Sequence, residues 1–316
     1  MRLRRYRPEA VGALPLALLL AISGCTLGEV TAAEGGDVLV VEGYLQGALR
    51  VPQMVLLHRS LRDGAARAEP GARVTITGPD GVRVQLSEEV ALHVCAQIPE
   101  PDLENPIRVE ATCYTTSSLE VEPGETYELE VVTAQGERIR GRTTVPGNFR
   151  GRRPVIDSTE SFPACSLPPG TNLELVWSQS EGAWSYLAVL EISGLEAALE
   201  GTGIEAPDRV DLTGLSISQS DTTLVMPAEF GLFELANLDQ DLIVYLQGGF
   251  PSGVTARLRL SALDRNYVNA IRGGSFNPSG AVRISSVVGD GIGVFGSYVP
   301  RDLVVIVEED STLPLC

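Results

Sequence analysis

Short runs in which apolar and polar residues alternate, separated by Gly- and Pro-containing turns, are the feature that most restricts the fold. In residues 126–133, Tyr127, Leu129 and Val131 alternate with glutamates. Such alternation predicts a strand with one buried face and one wet face. Nowhere does the sequence show a convincing apolar stripe at the 3.6-residue spacing of a helix.

The same kind of pattern predicts strands along most of the chain. Two stretches differ. Residues 264–272 favour a helical turn, and residues 197–226 could hold a short helix and a long excursion. The turns follow a recognisable chemistry, since Pro79 presets φ and Gly81 accepts a positive φ. The further strands are predicted at 38–44, 54–57, 72–77, 82–86, 138–145, 173–177, 184–192, 242–246, 254–263, 282–288 and 303–307.

The number and shortness of these strands indicate an all-β protein built from β-sandwiches. Structure-breaking Pro and Gly residues fall within 145–154, which favours a domain boundary there. We therefore predict two β-sandwich-like domains in tandem, with few short helices. They would occupy residues 37–147 and 155–316, joined by an arginine-rich linker at 148–154.

The boundary region contains a basic cluster in an otherwise acidic chain. Two interpretations remain open. The arginines pair with acidic faces of the two domains, or they form a patch for phosphate-bearing lipid headgroups or an acidic partner. The cluster consists of Arg138, Arg140, Arg142, Arg150, Arg152 and Arg153.

The amino-terminal segment has the organisation of a secretory signal. Four arginines precede an uncharged stretch at residues 11–22, which is too short to span a bilayer. Small residues then lead to Cys25. We predict that residues 1–24 are removed. In the plainer alternative, an ordinary signal is cleaved and Cys25 is an ordinary cysteine.

Ile22-Ser23-Gly24-Cys25 resembles the bacterial lipobox. The resemblance implies that Cys25 carries acyl chains, enough of them for a stable bilayer anchor. Thr26 after this cysteine implies the outer membrane. Residues 25–36 are small, polar and Gly-containing, and are predicted to tether the lipid to the fold.

The net charge of the chain limits the kinds of partner that it can bind. The chain carries a net charge of −17 and contains no lysine. Without residues 1–24 the net charge is about −20, because that segment holds four arginines and one glutamate. A surface this acidic repels nucleic acid, so we expect no nucleic-acid partner.

Four cysteines remain after Cys25, an even number that predicts two disulfides in an exported protein. Three pairings are allowed, and we favour Cys95–Cys113 with Cys165–Cys316. The second pair would pin the last residue of the chain. A metal site is the rival interpretation, but no two cysteines show C-x₂-C spacing and the only histidines are His58 and His93.

No motif predicts a catalytic, cofactor or metal-binding residue. The chain lacks the G-x-S-x-G, H-E-x-x-H and phosphate-loop patterns. Residues 291–296 match G-x-G-x-x-G, but another strand follows instead of a helix, so these glycines are predicted to allow a bulge or a close backbone approach. Acidic residues at 100–104, with Asp239 and Asp241, suit solvated loops better than Ca²⁺ ligation.

Two segments resemble known β modules. Residues 71–81 and 122–146 are similar to transthyretin-like and immunoglobulin-like modules of envelope proteins. Trp177, followed by a Gly-Ala turn and a strand containing Tyr186, resembles fibronectin type III modules. Trp177 and Trp184 could form a carbohydrate platform, although tryptophan in a core is commoner.

A wider resemblance rests on residues 260–299, which include the Gly-rich segment 291–298, and on Val-Val-Glu-Gly-Tyr at 40–44. These resemble an uncharacterised family, a domain of unknown function, of bacterial outer-membrane lipoproteins. Many members lie beside TonB-dependent receptors, which implies an accessory role in uptake or envelope assembly. The family has no agreed activity, so it implies no catalytic residue and no cofactor.

These observations favour a lipid-anchored, non-catalytic binding lipoprotein associated with an outer-membrane transporter. A structural or surface-adhesion module is the first alternative. The second is a glycan or peptide hydrolase, which would require a cleft with two carboxylates roughly 5–10 Å apart.

Overall fold

The computed structural model describes residues 37–47, 51–62, 65–89, 111–156, 163–227, 240–275 and 284–316. The predicted signal at 1–24, Cys25 and the tether at 25–36 lie outside these ranges. From Asp37 to Cys316 the chain forms one compact unit.

The described residues are mostly β, with three short helices, α1 (Leu195–Ala198), α2 (Gln240–Gln247) and α3 (Arg265–Ser275). This confirms the predicted all-β class. The strands are β1 (Leu39–Gln46), β2 (Gln53–Arg62), β3 (Ala65–Ala68), β4 (Arg73–Thr77), β5 (Arg83–Gln85), β6 (Ser87–Glu89), β7 (Thr112–Thr116), β8 (Thr126–Val132), β9 (Arg138–Thr144), β10 (Gly151–Arg153), β11 (Val155–Ile156), β12 (Ala164–Leu167), β13 (Leu173–Trp177), β14 (Ser185–Ser193), β15 (Arg209–Leu215), β16 (Thr223–Met226), β17 (Thr255–Leu263), β18 (Val287–Gly289) and β19 (Gly291–Val307).

The strands form three sheets. The largest has ten strands, with the order β15-β14-β17-β19-β1-β2-β7-β6, while β12 pairs with β19 and β3 with β2. A five-stranded sheet has the order β18-β9-β8-β4-β5, and a four-stranded sheet has the order β11-β10-β13-β16. One hydrophobic cluster contains buried residues of all three sheets.

The ten-stranded sheet joins the two halves of the chain. β1 pairs in parallel with the first half of β19, from Leu39 opposite Gly291 to Gln46 opposite Tyr298. β18 extends the five-stranded sheet by pairing with β9. The structure therefore has one unit in place of the two predicted separate domains at 37–147 and 155–316. Strands from the two ends of the chain are hydrogen-bonded to each other, and local sequence patterns cannot reveal such distant pairs.

The alternation of apolar and polar residues in the sequence correctly predicted most of the buried side chains. Tyr127, Leu129 and Val131 on β8 are at most 1 % exposed. Leu173 and Trp177 on β13 are buried as well. Because residues two apart share one face of a strand, these positions line the inner faces of their sheets.

Residues 242–246 were predicted as a strand and form part of helix α2 instead. Leu242, Ile243 and Leu246 are buried, whereas Val244 is 59 % exposed. A short apolar run fits both a buried strand and a one-sided helix, so its periodicity alone did not distinguish them.

The predicted helical turn at 264–272 is confirmed by α3. Asp264 precedes the helix and is 4 % exposed. Its Oδ1 accepts a hydrogen bond from the Tyr267 backbone N–H at 2.8 Å, and its Oδ2 accepts one from the Thr143 hydroxyl at 2.6 Å. Burial raises the pKa of this carboxyl. Asp264 thus caps α3 and ties it to β9.

The Gly-rich segment 291–296 begins the 17-residue strand β19. Gly293 has a φ of +141°, and a Cβ there would lie 1.9 Å from the Val41 carbonyl oxygen. The predicted close backbone approach is confirmed, and the segment does not open a helix as a dinucleotide-binding turn would.

The predicted disulfide between Cys165 and Cys316 is confirmed. It fastens the last residue of the chain to β12, which itself pairs with the second half of β19. Cys113 on β7 is disulfide-bonded too. Cys95 lies outside the described residues, so the Cys95–Cys113 pairing stays a prediction.

Candidate functional site

The five-stranded sheet has one face on the core and one face in solvent. On β9, Ile139 and Thr143 are buried, whereas Arg138, Arg140 and Arg142 are exposed. Strand alternation therefore places three arginines of this segment on the solvent side, about 7 Å apart along the strand.

Strand register adds residues from distant parts of the chain to this outer face. Arg142 lies opposite Glu128 on β8, which lies opposite Thr77 on β4, which lies opposite Arg83 on β5. A second row runs from Val288 through Arg140, Glu130 and Thr75 to Gln85, and a third contains Arg138, Val132 and Arg73.

We call this surface the arginine face. Its charged residues are Arg73, Arg83, Arg138, Arg140, Arg142, Glu128 and Glu130, and Asp290 lies beside it, where its carboxylate accepts a hydrogen bond from the Arg138 backbone N–H at 2.8 Å. Positive charges thus exceed negative ones here, in a chain whose net charge is −17. The electrostatic potential at a surface follows the local charge distribution. This face therefore attracts acidic or phosphorylated groups.

Most of these arginines are free to bind a partner. Arg140 donates to Glu130 at 3.2 Å, but its side chain remains 65 % exposed. Within the described ranges, the guanidinium groups of Arg73, Arg83, Arg138 and Arg142 make no ion pair. Exposed pairs such as Arg140–Glu130 contribute only about 0–1 kcal/mol, so a partner can exchange them at low cost.

The arginine face is shallow. A depression of about 530 Å³ lies over its first two rows and includes Arg83, Arg140, Arg142 and Val288 among its lining residues. Val288 is 70 % exposed. An open surface with charged groups and one exposed apolar residue suits a macromolecular partner better than a buried substrate.

The structure divides the arginine cluster that the sequence suggested. Arg138, Arg140 and Arg142 belong to the arginine face. Arg150 and Arg152 lie beyond it, exposed near β10, and Arg153 pairs with Glu174 at 2.7 Å. The cluster predicted from the sequence did not include Arg73 and Arg83, although the alternation in β4 and β5 puts both at solvent-facing positions.

Several other predicted candidates cannot be placed. Cys25, Cys95, His93, the acidic run at 100–104 and Asp239 lie outside the described residues. Asp241 falls in the first turn of α2. The described part of the chain holds no group of three His, Cys, Asp or Glu residues suited to a metal ion.

His58 does not form a catalytic arrangement. It lies on β2, and its Nδ1 is 3.0 Å from the Arg59 carbonyl oxygen. The described residues provide its ring with no carboxylate partner. A general base of the Ser-His-Asp type needs such a partner to orient the imidazole.

The two tryptophans do not form a shared platform. Trp177 is 3 % exposed in the core, where its ring packs edge-on against Tyr186. Trp184 is 46 % exposed, and the Arg265 guanidinium lies 4.8 Å from its ring centroid. One tryptophan therefore stabilises the fold while the other lies on the surface.

None of the described helices is long and apolar enough to cross a membrane.

Solved structures similar to this chain include immunoglobulin-like and fibronectin-like modules. The fibronectin(III)-like modules of Clostridium thermocellum CbhA are 8 % identical over 85 % of this chain and 90 % of theirs, with a TM-score of 0.21. A DUF4785 family protein of Legionella pneumophila is 12 % identical over 70 % of this chain and 51 % of its own, with a TM-score of 0.20. DIP-gamma IG1+IG2 is 10 % identical over 86 % of this chain and 99 % of its own, with a TM-score of 0.18.

A search of curated protein sequences found no significant match. A family model does match, over residues 29–300, and its description is a domain of unknown function. The matched range includes the arginine face and most of the three sheets. Since it also covers well over half of the sequence, the chain belongs to the DUF4249 family.

Proposed function

We propose that this protein is a lipid-anchored, non-catalytic binding protein of the bacterial cell envelope that works with an outer-membrane transporter. Membership of a family of unknown function, together with an architecture of packed β-sheets, is compatible with a non-catalytic binding or structural module. The sequence around Cys25 supports the lipid anchor. The arginine face supports binding, and it is the observation on which the proposal rests.

The arginine face suits a protein partner with an acidic, patterned surface. Arg142 and Arg140 alternate across the strands with Glu128 and Glu130. A uniformly anionic lipid surface would be attracted by the arginines and repelled by the glutamates between them. A protein can place acidic and basic side chains against both, which gives specificity and a defined orientation.

The first experiment isolates the full-length protein from solubilised outer membranes and identifies co-purifying proteins by mass spectrometry. We expect a stoichiometric transporter. Removing two positive charges from the face with Arg140→Gln and Arg142→Gln should lower the recovery of the transporter about tenfold or more, because charged groups at an interface set both the association rate and the specificity. Raising the salt concentration should weaken recovery in the same direction.

A matched control uses two arginines of the same sequence cluster that lie off the face. Arg150→Gln with Arg152→Gln removes the same number of exposed charges and should leave the partner bound. Equal losses of the transporter in both double variants would show that its recovery depends only on the net charge of the protein. Full recovery of the transporter by the face variant would contradict the proposal, as would its absence from the wild-type preparation.

Anchoring is tested separately. Cys25→Ala should release the protein into the soluble fraction, since the acyl chains supply the bilayer affinity. An unchanged membrane fraction would contradict the lipid anchor. Binding of purified protein to vesicles of anionic phospholipid, lost in the face variant, would instead assign the arginine face to lipid headgroups.

A further inference from the structure

A second concave surface lies on the outer side of the ten-stranded sheet, where β14, β17 and β19 run side by side. We call it the tyrosine groove. Its volume is about 450 Å³. Tyr267, in the first turn of α3, stands at one end, and Leu187 and Val189 of β14 form part of its apolar lining.

A single glycine lets α3 rest on the sheet at this place. A Cβ on Gly296 would lie 3.0 Å from the Tyr267 backbone nitrogen and 3.1 Å from Asp264 Oδ1. Both distances are shorter than side-chain contacts normally allow. Gly296 therefore permits the close packing that puts the Tyr267 side chain beside the sheet.

Tyrosine rings gather around this contact. The ring centroids of Tyr44 and Tyr267 are 4.3 Å apart, and those of Tyr267 and Tyr298 are 5.7 Å apart. The Tyr298 hydroxyl donates to Gln46 Oε1 at 2.8 Å, which holds that ring in place. Burial raises the pKa of Tyr298 to about 12, so this hydroxyl stays protonated as a donor.

Polar groups line the groove next to these rings. Arg259 donates to both carboxylate oxygens of Asp302, at 2.7 Å and 3.2 Å. Such a two-point pair holds both side chains in fixed orientations. Asp302 keeps acceptor capacity beyond these two bonds, since a carboxylate offers about four lone-pair sites.

Two hydroxyls in the groove lack partners within the described part of the chain. Ser261 is 4 % exposed, and its hydroxyl makes no hydrogen bond there. The Tyr267 hydroxyl is unpartnered as well. Neither hydroxyl belongs to the fully buried unpartnered atoms of the described residues. Both residues line the open groove, so these hydroxyls are free to bind a ligand or water.

We propose that the tyrosine groove is a saccharide-binding site. A sugar ring has apolar C–H faces and a polar rim. The faces can pack on tyrosine rings and on Leu187 and Val189, while the rim hydroxyls reach Ser261, Tyr267 and Asp302. Apolar walls with a few placed polar groups are the usual composition of small-ligand sites.

A peptide strand fits the groove less well. β17 is hydrogen-bonded to β14 on one side and to β19 on the other. Its main chain therefore offers no free edge to which an extended peptide could add. Recognition here has to come from side chains, as a sugar requires.

The test is isothermal titration of the full-length protein, in detergent, with a fixed panel of soluble oligosaccharides: maltohexaose, cellohexaose, chitohexaose and hexagalacturonate. Binding of at least one is expected. The double variant Ser261→Ala with Tyr267→Phe removes only the two unpartnered hydroxyls and should weaken that binding about tenfold, as expected for two lost hydrogen bonds.

Trp184→Ala is the matched control, because Trp184 is an exposed aromatic residue outside the groove. Its affinity should equal that of the wild type. Thermal unfolding of each variant verifies the fold. The proposal is overturned if no member of the panel binds, if the double variant binds normally, or if Trp184→Ala alone abolishes binding. It does not depend on the arginine face, whose variants should bind sugar normally.

Discussion

Arg59 lies between two carboxylates where two sheets meet. Its Nε donates to Glu69 at 2.7 Å, and its Nη1 donates to Glu137 at 3.0 Å, with a second contact from Nη2 to the same carboxylate. Arg59 belongs to β2 of the ten-stranded sheet, and Glu137 immediately precedes β9 of the five-stranded sheet. This ionic cluster therefore fixes the position of one sheet on the other.

Glu137 should make stability depend on pH. The hydrogen bond from Arg59 is the largest cause that lowers its pKa. A carboxyl with a lowered folded-state pKa stabilises the fold above its unfolded pKa, and this contribution is lost as pH falls through the folded pKa. Glu137→Gln should cost about 1–2 kcal/mol near neutral pH and less under acid conditions, measured by urea unfolding at about pH 7 and about pH 3.5.

Glu130→Gln is a suitable control, because its pair with Arg140 is exposed. It should change the unfolding free energy by less than about 1 kcal/mol. An effect of Glu137→Gln that is equally large at both pH values would contradict the ionic explanation and point to packing instead.

At the scale of elements, the first half of β19 depends on glycine. A Cβ on Gly291 would lie 2.5 Å from the Leu39 carbonyl oxygen. The corresponding distance at Gly293 to the Val41 carbonyl oxygen is shorter still, at 1.9 Å. β1 and β19 can therefore form their parallel pair only because side chains are absent at these positions.

Gly293→Ala tests this close approach. The added methyl group would separate the two strands, so we expect a loss of more than about 4 kcal/mol or failure to fold. Gly81→Ala separates the steric effect from backbone strain, since Gly81 has a φ of +79° with nothing within 4 Å of the added Cβ.

For that control, the left-handed conformation alone should cost about 1–2 kcal/mol. Urea unfolding of both variants gives the comparison. Similar losses at Gly293 and Gly81 would mean that β1 and β19 can move apart without penalty.

At the scale of the whole molecule, the two ends of the chain complete one sheet. β17 and β12 flank the second half of β19, whereas β1 flanks the first half. The five-stranded sheet likewise combines β4, β5, β8 and β9 with β18 from near the carboxyl terminus. Neither half of the sequence contains a complete set of partners.

A fragment of residues 153–316 should therefore not fold alone. It would expose the edge of β19 that β1 covers, together with the core residues beneath it. We expect no cooperative unfolding transition and a tendency to aggregate, measured by circular dichroism and size-exclusion chromatography.

Adding residues 37–152 should restore a one-to-one complex. A monomeric, cooperatively folding 153–316 fragment would contradict the single-unit architecture and restore the tandem-domain interpretation.

The sequence by itself determined where most strands lie, because alternation such as that of Tyr127, Leu129 and Val131 reports burial locally. It also indicated the Cys165–Cys316 disulfide and the close approach at the Gly-rich segment. Only the tertiary structure decided which strands pair, whether Leu242–Leu246 is strand or helix, and that Arg73 and Arg83 join Arg138, Arg140 and Arg142 on one face. These outcomes depend on hydrogen bonds and packing between residues far apart in the chain, and local periodicity contains no information about such distant partners.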